Sequence, residues 1–247
     1  MEISQYLVIA SCASVLIGMS KGGLPFVAMM SVPLLSLVMS PLKAVVLLLP
    51  VYIISDVVSV WLYRRSFSLI NLKILVPASM VGILIAWFTA SMISDLTIKL
   101  IIGLVGVGFC LQTWFKRGQV ESALPASVPK GAFWGAVSGF TSFIAHAGGP
   151  PFQVYMLPQK LPKAEFAGTA TILFAIINLA KIGPYQNLSP YSWDDLMEAL
   201  VLVPFALIGT FLGAYLTQRF ADAWFFKLVQ GGLLLVSLKL ISDAIRG

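Results

Sequence analysis

Four apolar runs constrain the fold of this chain more than any other feature of its sequence. They cover residues 44–62, 76–92, 100–115 and 200–216, and Asp56 is the one charged residue within them. Such runs approach or reach the length that an α-helix needs to cross the hydrocarbon core of a bilayer. The whole chain agrees, because 59% of its residues are hydrophobic and only 11% are charged. We therefore predict an all-α, polytopic protein that is embedded in a lipid bilayer.

Two breaks rich in glycine and proline interrupt the apolar pattern, one in each half of the chain. Residues 21–26 read KGGLPF, and residues 147–152 read AGGPPF. Glycine frees the backbone, and proline lacks an N–H donor but suits the first turn of a new helix. An unpaired N–H at membrane depth is tolerated only where it faces protein or a wet cavity. We therefore expect two short half-helices at each break, covering residues 3–19 and 26–39, and then 131–145 and 152–158. The second of each pair is expected to point its positive end at an anion.

Matched spacings indicate that the chain contains an internal duplication. Pro77 precedes Gly82 by five residues, and Pro204 precedes Gly209 by the same interval. An aspartate follows each of these glycines after thirteen residues, and a Lys-Ala pair opens the span after each break. Four matches in the same order favour two related halves.

Residues 1–247 are therefore predicted to form a single transmembrane transport domain. Repeat 1 covers 1–115, a polar linker rich in Gly, Ser and Pro covers 116–130, and repeat 2 covers 131–247. Each repeat has five helical pieces, of which the remaining spans are 44–62, 72–92, 98–115, 167–183, 196–216 and 224–241. Because five is odd, the second repeat is expected to run inverted through the membrane. Inverted repeats with paired broken helices are typical of secondary transporters, whose site lies at midplane between the repeats.

Basic residues divide unequally between the predicted loops. Loop 63–73 holds three basic residues, whereas its counterpart 184–195 holds two aspartates and no base. The positive-inside rule puts the first loop in the cytoplasm and both termini outside it, in the inner membrane of a bacterial cell. The net charge of +6 is explained by these loops and does not imply a nucleic-acid partner.

Lys21 and His146 stand at the two breaks and are the main candidate ligands for an anion. Lys21 offers a fixed positive charge beside a helix N-terminus, or it reaches the interface from a short loop. His146 is the only histidine, and it could donate to an anion oxygen or carry a coupled proton. The alternative is a histidine whose ring is satisfied by backbone carbonyls.

Further residues around the breaks complete the predicted pocket. The glycines of both breaks either present backbone N–H groups to the anion or merely allow tight turns. Ser20 offers a hydroxyl donor, and three residues in the first turns of the half-helices line the pocket or pack within the fold. The predicted binding set is therefore Ser20, Lys21, Gly22, Gly23, Phe26, His146, Gly148, Gly149, Phe152 and Gln153.

Two polar residues lie inside predicted spans away from the breaks. Asp56 is a candidate proton carrier, or it pairs with Lys43 or Lys73 near an interface. Asn178 lies in the corresponding span of the second repeat, two residues from strict register. Lys181 follows one turn after Asn178, and we interpret it as an anchor of that helix at the outer interface.

The residues at the breaks also carry a resemblance to a known family. Residues 18–25 read GMSKGGLP and resemble the first-repeat motif of the sulfite exporter TauE/SafE family, also called the 4-toluene sulfonate uptake permeases. The stretch from Gly139-Phe140 to the HAGGPP of residues 146–151 resembles its partner motif. The resemblance extends over essentially the whole chain. It implies secondary transport of a sulfur-containing anion, such as sulfite or an organosulfonate.

The leading hypothesis is a secondary transporter driven by a proton or sodium gradient or by the gradient of the anion itself. No nucleotide-binding P-loop is present, and no cofactor is expected. An anion channel of the same architecture and a permease for a non-sulfur organic anion remain alternatives. A homodimer through lipid-facing surfaces is compatible with the sequence, although no motif requires one.

An intramembrane enzyme is the competing class, and the sequence disfavours it. Ser138 and His146 are eight residues apart on one predicted helix, which puts them about 12 Å from each other. A single histidine and two separated cysteines do not form a metal-ligand set.

Overall fold

The chain folds into a bundle of helices, which confirms the predicted all-α class. The computed structural model describes residues 3–22, 27–90, 92, 94–115, 123–219 and 222–246, and none of these residues forms a β-strand. The helices are α1 (Ile3–Lys21), α2 (Ser31–Leu35), α3 (Pro41–Tyr63), α4 (Leu69–Ala90), α5 (Asp95–Phe115), α6 (Val128–Ala145), α7 (Gly149–Met156), α8 (Lys163–Ala180), α9 (Ile182–Leu188), α10 (Trp193–Arg219) and α11 (Asp222–Arg246). Short 3₁₀ helices at Val27–Met30 and Leu157–Gln159 precede α2 and follow α7.

Among the residues that the structure describes, four helical segments have the length and composition needed to cross a membrane, namely Pro41–Trp61, Leu69–Ala90, Ala164–Leu188 and Trp193–Gly213. Their outer faces are apolar, since Val57, Phe88 and Phe211 have exposed fractions of 67%, 68% and 78%. Polar and charged side chains, among them Asp56 and Lys181, are instead buried within the bundle. An apolar exterior around a partly polar interior is the arrangement that a lipid environment favours. The protein is therefore embedded in a membrane.

The most extensive helix contacts each join one helix from the first half of the chain to one from the second. α1 packs along α10 and α4 packs along α6, while α3 meets α8 and α5 meets α11. Suppose that α1, α3, α4 and α5 correspond, in that order, to α6, α8, α10 and α11. The α1–α10 and α4–α6 contacts are then equivalent to each other, and the α3–α8 and α5–α11 contacts each join a helix to its own counterpart. This pattern is what two related halves packed about a pseudo-two-fold axis would produce.

Glycines allow close approach in two helix pairs, α1 with α10 and α4 with α6. A Cβ atom on Gly18 of α1 would lie 1.8 Å from the Ala206 carbonyl oxygen of α10, and one on Gly82 of α4 would lie 1.9 Å from the Ala136 oxygen of α6. The reverse contacts use Gly209 and Gly139 in the same way. Small residues at helix interfaces let backbones touch in membranes, where packing drives association.

Several predicted boundaries are wrong, for identifiable reasons. The piece expected over 26–39 is a 3₁₀ turn and a five-residue helix that ends at Leu35. The second break is shorter than expected, because α7 begins at Gly149 and accepts both prolines in its first turn. The expected loop 184–195 is helical as far as Leu188. Similarly, the last three residues of the predicted linker belong to α6, which begins at Val128.

Helix starts follow ordinary local chemistry. Pro41 is the first residue of α3, and the Ser40 hydroxyl oxygen accepts a hydrogen bond from the Lys43 amide at 3.3 Å. A serine cap followed by proline is a favourable helix start.

α1 and α6 have 19 and 18 residues, so each is about 27–28 Å long and longer than the half-helices expected.

Candidate functional site

The second break is organised by the backbone of His146. This residue ends α6 in a left-handed conformation with φ of 50°, and its amide donates to the Ser142 carbonyl at 3.0 Å. The Ala147 amide donates to the Thr141 carbonyl at 3.2 Å, which completes the helix cap. Left-handed geometry is uncommon outside glycine, although histidine tolerates it better than most residues. The turn directs the imidazole toward α3 and α8 rather than along α6.

The first break begins where α1 ends at Lys21. The Gly22 amide still donates to the Gly18 carbonyl at 3.0 Å, so helical bonding reaches the break itself. The Lys21 ammonium pairs with Asp56 of α3, and its side chain is only 14% exposed. Lys21 therefore does not extend to an interface, which was the alternative to a role at the site. Gly23 and Phe26 lie outside the residues that the structure describes.

Asp56 joins the two halves of the bundle. Its Oδ1 pairs with the Lys21 ammonium, and its Oδ2 accepts a hydrogen bond of 2.6 Å from the Asn178 amide of α8. The alternative in which Asp56 pairs with Lys43 or Lys73 is wrong, because Lys21 and Asn178 take both of its oxygens; Lys43 instead lies 3.7 Å from Asp195. Asp56 is instead buried one helical turn beyond Tyr52, facing the break.

Both ring nitrogens of His146 have partners. Nε2 lies 2.9 Å from the Val45 carbonyl oxygen, and Nδ1 lies 2.8 Å from the Lys181 ammonium nitrogen. The ring stacks on Tyr52 with centroids 4.4 Å apart. The alternative, in which backbone carbonyls bind the histidine ring, is therefore correct for Nε2 only. Nδ1 contacts Lys181 instead.

The interpretation of Lys181 as an interfacial anchor is wrong. Its side chain is fully buried, and its Nζ atom lies 3.2 Å from both the carbonyl and the hydroxyl oxygen of Ser142. The helix restarts as α9 directly after Lys181 and continues to Leu188, which moves Lys181 away from the helix end. Pro184 permits this because proline is compatible with a first helical turn.

A cavity of about 520 Å³ lies between α3, α8 and the two breaks. Its polar wall is formed by Ser20, Lys21, Tyr52, Ser142, His146, Gly149, Gln153 and Asn178. Its apolar wall includes Phe152, Phe166 and Phe174, with Phe152 ring centroids 5.4 Å and 5.7 Å from the other two. Small residues at positions 164, 167 and 170 of α8 leave the space open.

The cavity extends along α3 toward the end of the bundle where α3 finishes. Tyr52, Ser59 and Tyr63 line it at helical spacing, which covers about 16 Å of the helix axis. Ala164 and Phe166, at the start of α8, line the same end. The site is therefore a deep chamber with its charged groups at the inner end.

The structure brings together most of the residues predicted for the site. Seven of them line the cavity: Ser20, Lys21, His146, Gly149, Phe152, Gln153 and Asn178. Asp56 stands directly behind Lys21 and Asn178, whereas Gly22 and Gly148 do not line the cavity. Sequence reasoning missed Tyr52, Phe174 and the buried role of Lys181. Tyr52 and Phe174 lie one helical turn before Asp56 and Asn178, and Lys181 lies one turn after Asn178. This helical spacing was the signal in the sequence that could have identified them.

The geometry offers little to the enzyme hypothesis. The Ser138 hydroxyl donates to the Gly148 carbonyl at 2.8 Å, which holds the start of α7 against α6. Within the described part of the chain, no three His, Cys, Asp or Glu residues gather as a metal site would require.

A helical bundle with an apolar exterior around a partly polar interior defines the class of polytopic membrane proteins. Residues 7–240 match the family described as sulfite exporter TauE/SafE, and the chain belongs to that family. Membership makes it a membrane transport protein of a family that exports sulfite. No curated protein and no solved structure matches the chain.

Proposed function

We propose that this protein is a secondary transporter of a small organosulfonate anion, which binds in the cavity between α3 and α8. The observation that carries the proposal is the position of the Lys21 ammonium in the wall of a cavity that Asn178 and three phenylalanine rings also line. A cation and the amide groups of Asn178 and Gln153 suit a tetrahedral head with several acceptor oxygens, whereas the Ser20 hydroxyl donates to the Ile17 carbonyl at 2.7 Å.

The head of the anion is expected to contact Lys21 from the cavity side. Asp56 holds the ammonium from behind, so the charge is fixed in position before an anion arrives. Such preorganisation reduces the free-energy cost of ordering the site on binding. Gln153 and Asn178 supply further donors without adding charge.

The apolar wall favours an organic sulfonate over bare sulfite. A volume of about 520 Å³ falls within the range of cavities that hold small organic molecules. Phe152, Phe166 and Phe174 offer ring faces and edges to an apolar body. Sulfite would leave these surfaces without a partner, so we propose a substrate that carries a hydrocarbon or ring.

Alternating access is supported by the paired helix contacts between the two halves. α3 and α8 border the cavity and meet each other directly, and they hold corresponding positions in the two predicted repeats. In transporters built from inverted repeats, exchange between two symmetric arrangements opens the site to one side and then to the other. We propose the same for this chain, in a bacterial inner membrane.

Uptake into proteoliposomes tests this proposal. Labelled p-toluenesulfonate is expected to enter with saturable kinetics, to accumulate when a gradient of a coupled ion is imposed, and to be competed by other sulfonates. p-Toluate has the same ring with a carboxylate head, and it is expected to compete poorly. Lys21→Met is expected to abolish uptake, while Lys239→Met, which changes a 62% exposed side chain, leaves it unchanged.

Three results would contradict the proposal in different ways. Flux that does not saturate and never exceeds the equilibrium distribution would indicate a channel. Equal competition by p-toluate would remove the sulfonate class and leave an organic-anion permease. Full uptake by Lys21→Met in correctly inserted protein would move the site away from the cavity.

A further inference from the structure

The buried charges beside the cavity are unevenly matched. Asp56 is the only acidic side chain that is buried among those described, and both of its oxygens are taken by Lys21 and Asn178. Lys181 and His146 are also buried, and no described carboxylate lies within hydrogen-bonding distance of either. This second basic cluster therefore has no direct counter-charge.

The contact between Lys181 and His146 joins two proton-binding nitrogens at 2.8 Å. Their remaining contacts are neutral groups: the Ser142 and Val45 carbonyls, which can only accept, and the Ser142 hydroxyl, which can either accept from Nζ or donate to it. Two positive charges at this separation would repel strongly away from water, so the pair holds at most one excess proton. That single proton is an uncompensated buried charge, which is unfavourable without a nearby anion.

The cavity is where such an anion would sit. His146 and Ser142 line it, and Lys181 stands directly behind them. The other titratable groups that face the pair are Lys21 from α1, Tyr52 and Asp56 from α3, and Tyr185 from α9. The Asp56 carboxylate is bound directly by Lys21 and Asn178, so it is not a direct partner of Lys181 or His146.

We propose that the Lys181–His146 pair takes up one proton when the substrate anion binds, and that this pair is the proton-coupling site of the transporter. The inference rests on the proposed function. The proton comes from water in the chamber and is held between Nζ and Nδ1. It leaves again when the anion leaves, so each anion crosses the membrane together with one proton.

Linkage gives the sign of the effect. If binding takes up a proton, acidification strengthens binding, and affinity falls as the pH rises. For one linked proton, the limit is about a tenfold change in Kd per pH unit. A sulfonate remains fully ionised across this range, so the dependence cannot arise from the substrate.

The test is isothermal titration calorimetry of the full-length protein in detergent with p-toluenesulfonate. Titrations between about pH 6 and pH 9, in buffers of different ionisation enthalpy, count the protons bound per anion. The wild-type protein is expected to take up close to one proton, with Kd rising toward tenfold per pH unit. p-Toluate serves as a second probe, because its carboxylate also stays ionised in this range.

Two substitutions assign the proton to the pair. Lys181→Met is expected to bind weakly, with no proton uptake and a flat pH profile. Lys181→Arg places a permanent charge at the same position, so it is expected to keep binding but lose the pH dependence. Lys239→Met, on the exposed face of α11, is the matched control and is expected to behave as the wild type.

Each outcome decides between the proposals. Sulfonate binding without proton uptake in the wild-type protein overturns this inference and leaves the proposed function intact, whether or not any variant folds. Undiminished proton uptake on sulfonate binding by Lys181→Met also overturns the inference. Proton-linked binding of p-toluate alone overturns the sulfonate class but keeps the coupling pair, and a wild-type protein that binds neither probe overturns both.

Discussion

The side-chain amide of Asn178 donates a 2.6 Å hydrogen bond to Oδ2 of Asp56, across the interface between α8 and α3. These are the two polar residues that the sequence singled out at corresponding positions of its two halves. Asp56 is thereby held from both sides, because Lys21 pairs with its other oxygen. The contacts of Asp56 link the first break to α8, and they explain why a lone aspartate is tolerated within an apolar run.

The Lys21–Asp56 pair is expected to contribute far more to stability than the exposed Lys43–Asp195 pair. Lys21→Met leaves a buried carboxylate without its cation, which is expected to lower the free energy of unfolding by about 3 kcal/mol. Lys43 is 55% exposed, and Lys43→Met is expected to cost no more than about 1 kcal/mol. Unfolding in detergent, followed by tryptophan fluorescence, measures both. Equal effects of the two substitutions would show that the buried pair is not specifically stabilising.

Close packing of α1 against α10 depends on Gly18. A methyl group there would lie 1.8 Å from a backbone oxygen, so Gly18→Ala is expected to separate the helices and destabilise the fold by about 1–3 kcal/mol. Gly231 of α11 is the matched control, because a Cβ atom there meets nothing within 4 Å. Gly231→Ala is expected to be neutral or stabilising by up to about 1 kcal/mol. The melting temperatures of the two variants check this, and a Gly18→Ala protein as stable as the wild type would contradict it.

Phe174 is expected to select for the body of the substrate rather than its head. Phe174→Ala removes part of the aromatic wall, and about 1.4 kcal/mol of lost contact corresponds to a tenfold weaker binding of p-toluenesulfonate. Methanesulfonate has the same head without the ring, so its affinity is expected to change little. Phe88 is 68% exposed on the outer face, and Phe88→Ala serves as the control. A parallel loss for both ligands would mean that Phe174 supports the fold only.

Inverted topology predicts opposite sidedness for two loops that correspond in the halves. In a background with Cys12→Ala and Cys110→Ala, a thiol from Arg65→Cys is expected to react with an impermeant maleimide only from the cytoplasm. A thiol from Asp194→Cys is expected to react only from the outside. Labelling of intact cells and of inverted vesicles measures this. Reaction of both thiols from one side would refute the inverted arrangement.

The breaks and isolated polar groups could be predicted from the sequence because each violates an apolar pattern locally. Lys21, His146, Asp56 and Asn178 were identified in this way, and they meet beside one cavity. Their partners could not be predicted, because the contacts join residues far apart in the chain. Asp56 is 35 residues from Lys21 and 122 from Asn178.

Lys181 shows why a local signal can mislead. Gly183 and Pro184 follow it, and this pair normally marks the end of a helix. The proline fits the first turn of α9 instead, so the helical path continues and carries the lysine inward. Whether such a lysine is interfacial or buried depends on the acceptors that surround it, here Ser142 and His146. These acceptors lie on α6, at a distance that sequence patterns do not encode.

The glycine contacts of Gly18 and Gly82 limit how this molecule can move. Each fastens a helix of one sequence half to a helix of the other, with backbone against backbone. These contacts therefore join the two halves of the chain. Neither half can shift as a rigid unit without breaking the close packing of α1 on α10 and of α4 on α6. If the two predicted repeats exchange arrangements during transport, we expect α1 to stay with α10 and α4 to stay with α6, because these backbone contacts leave no room for either pair to separate.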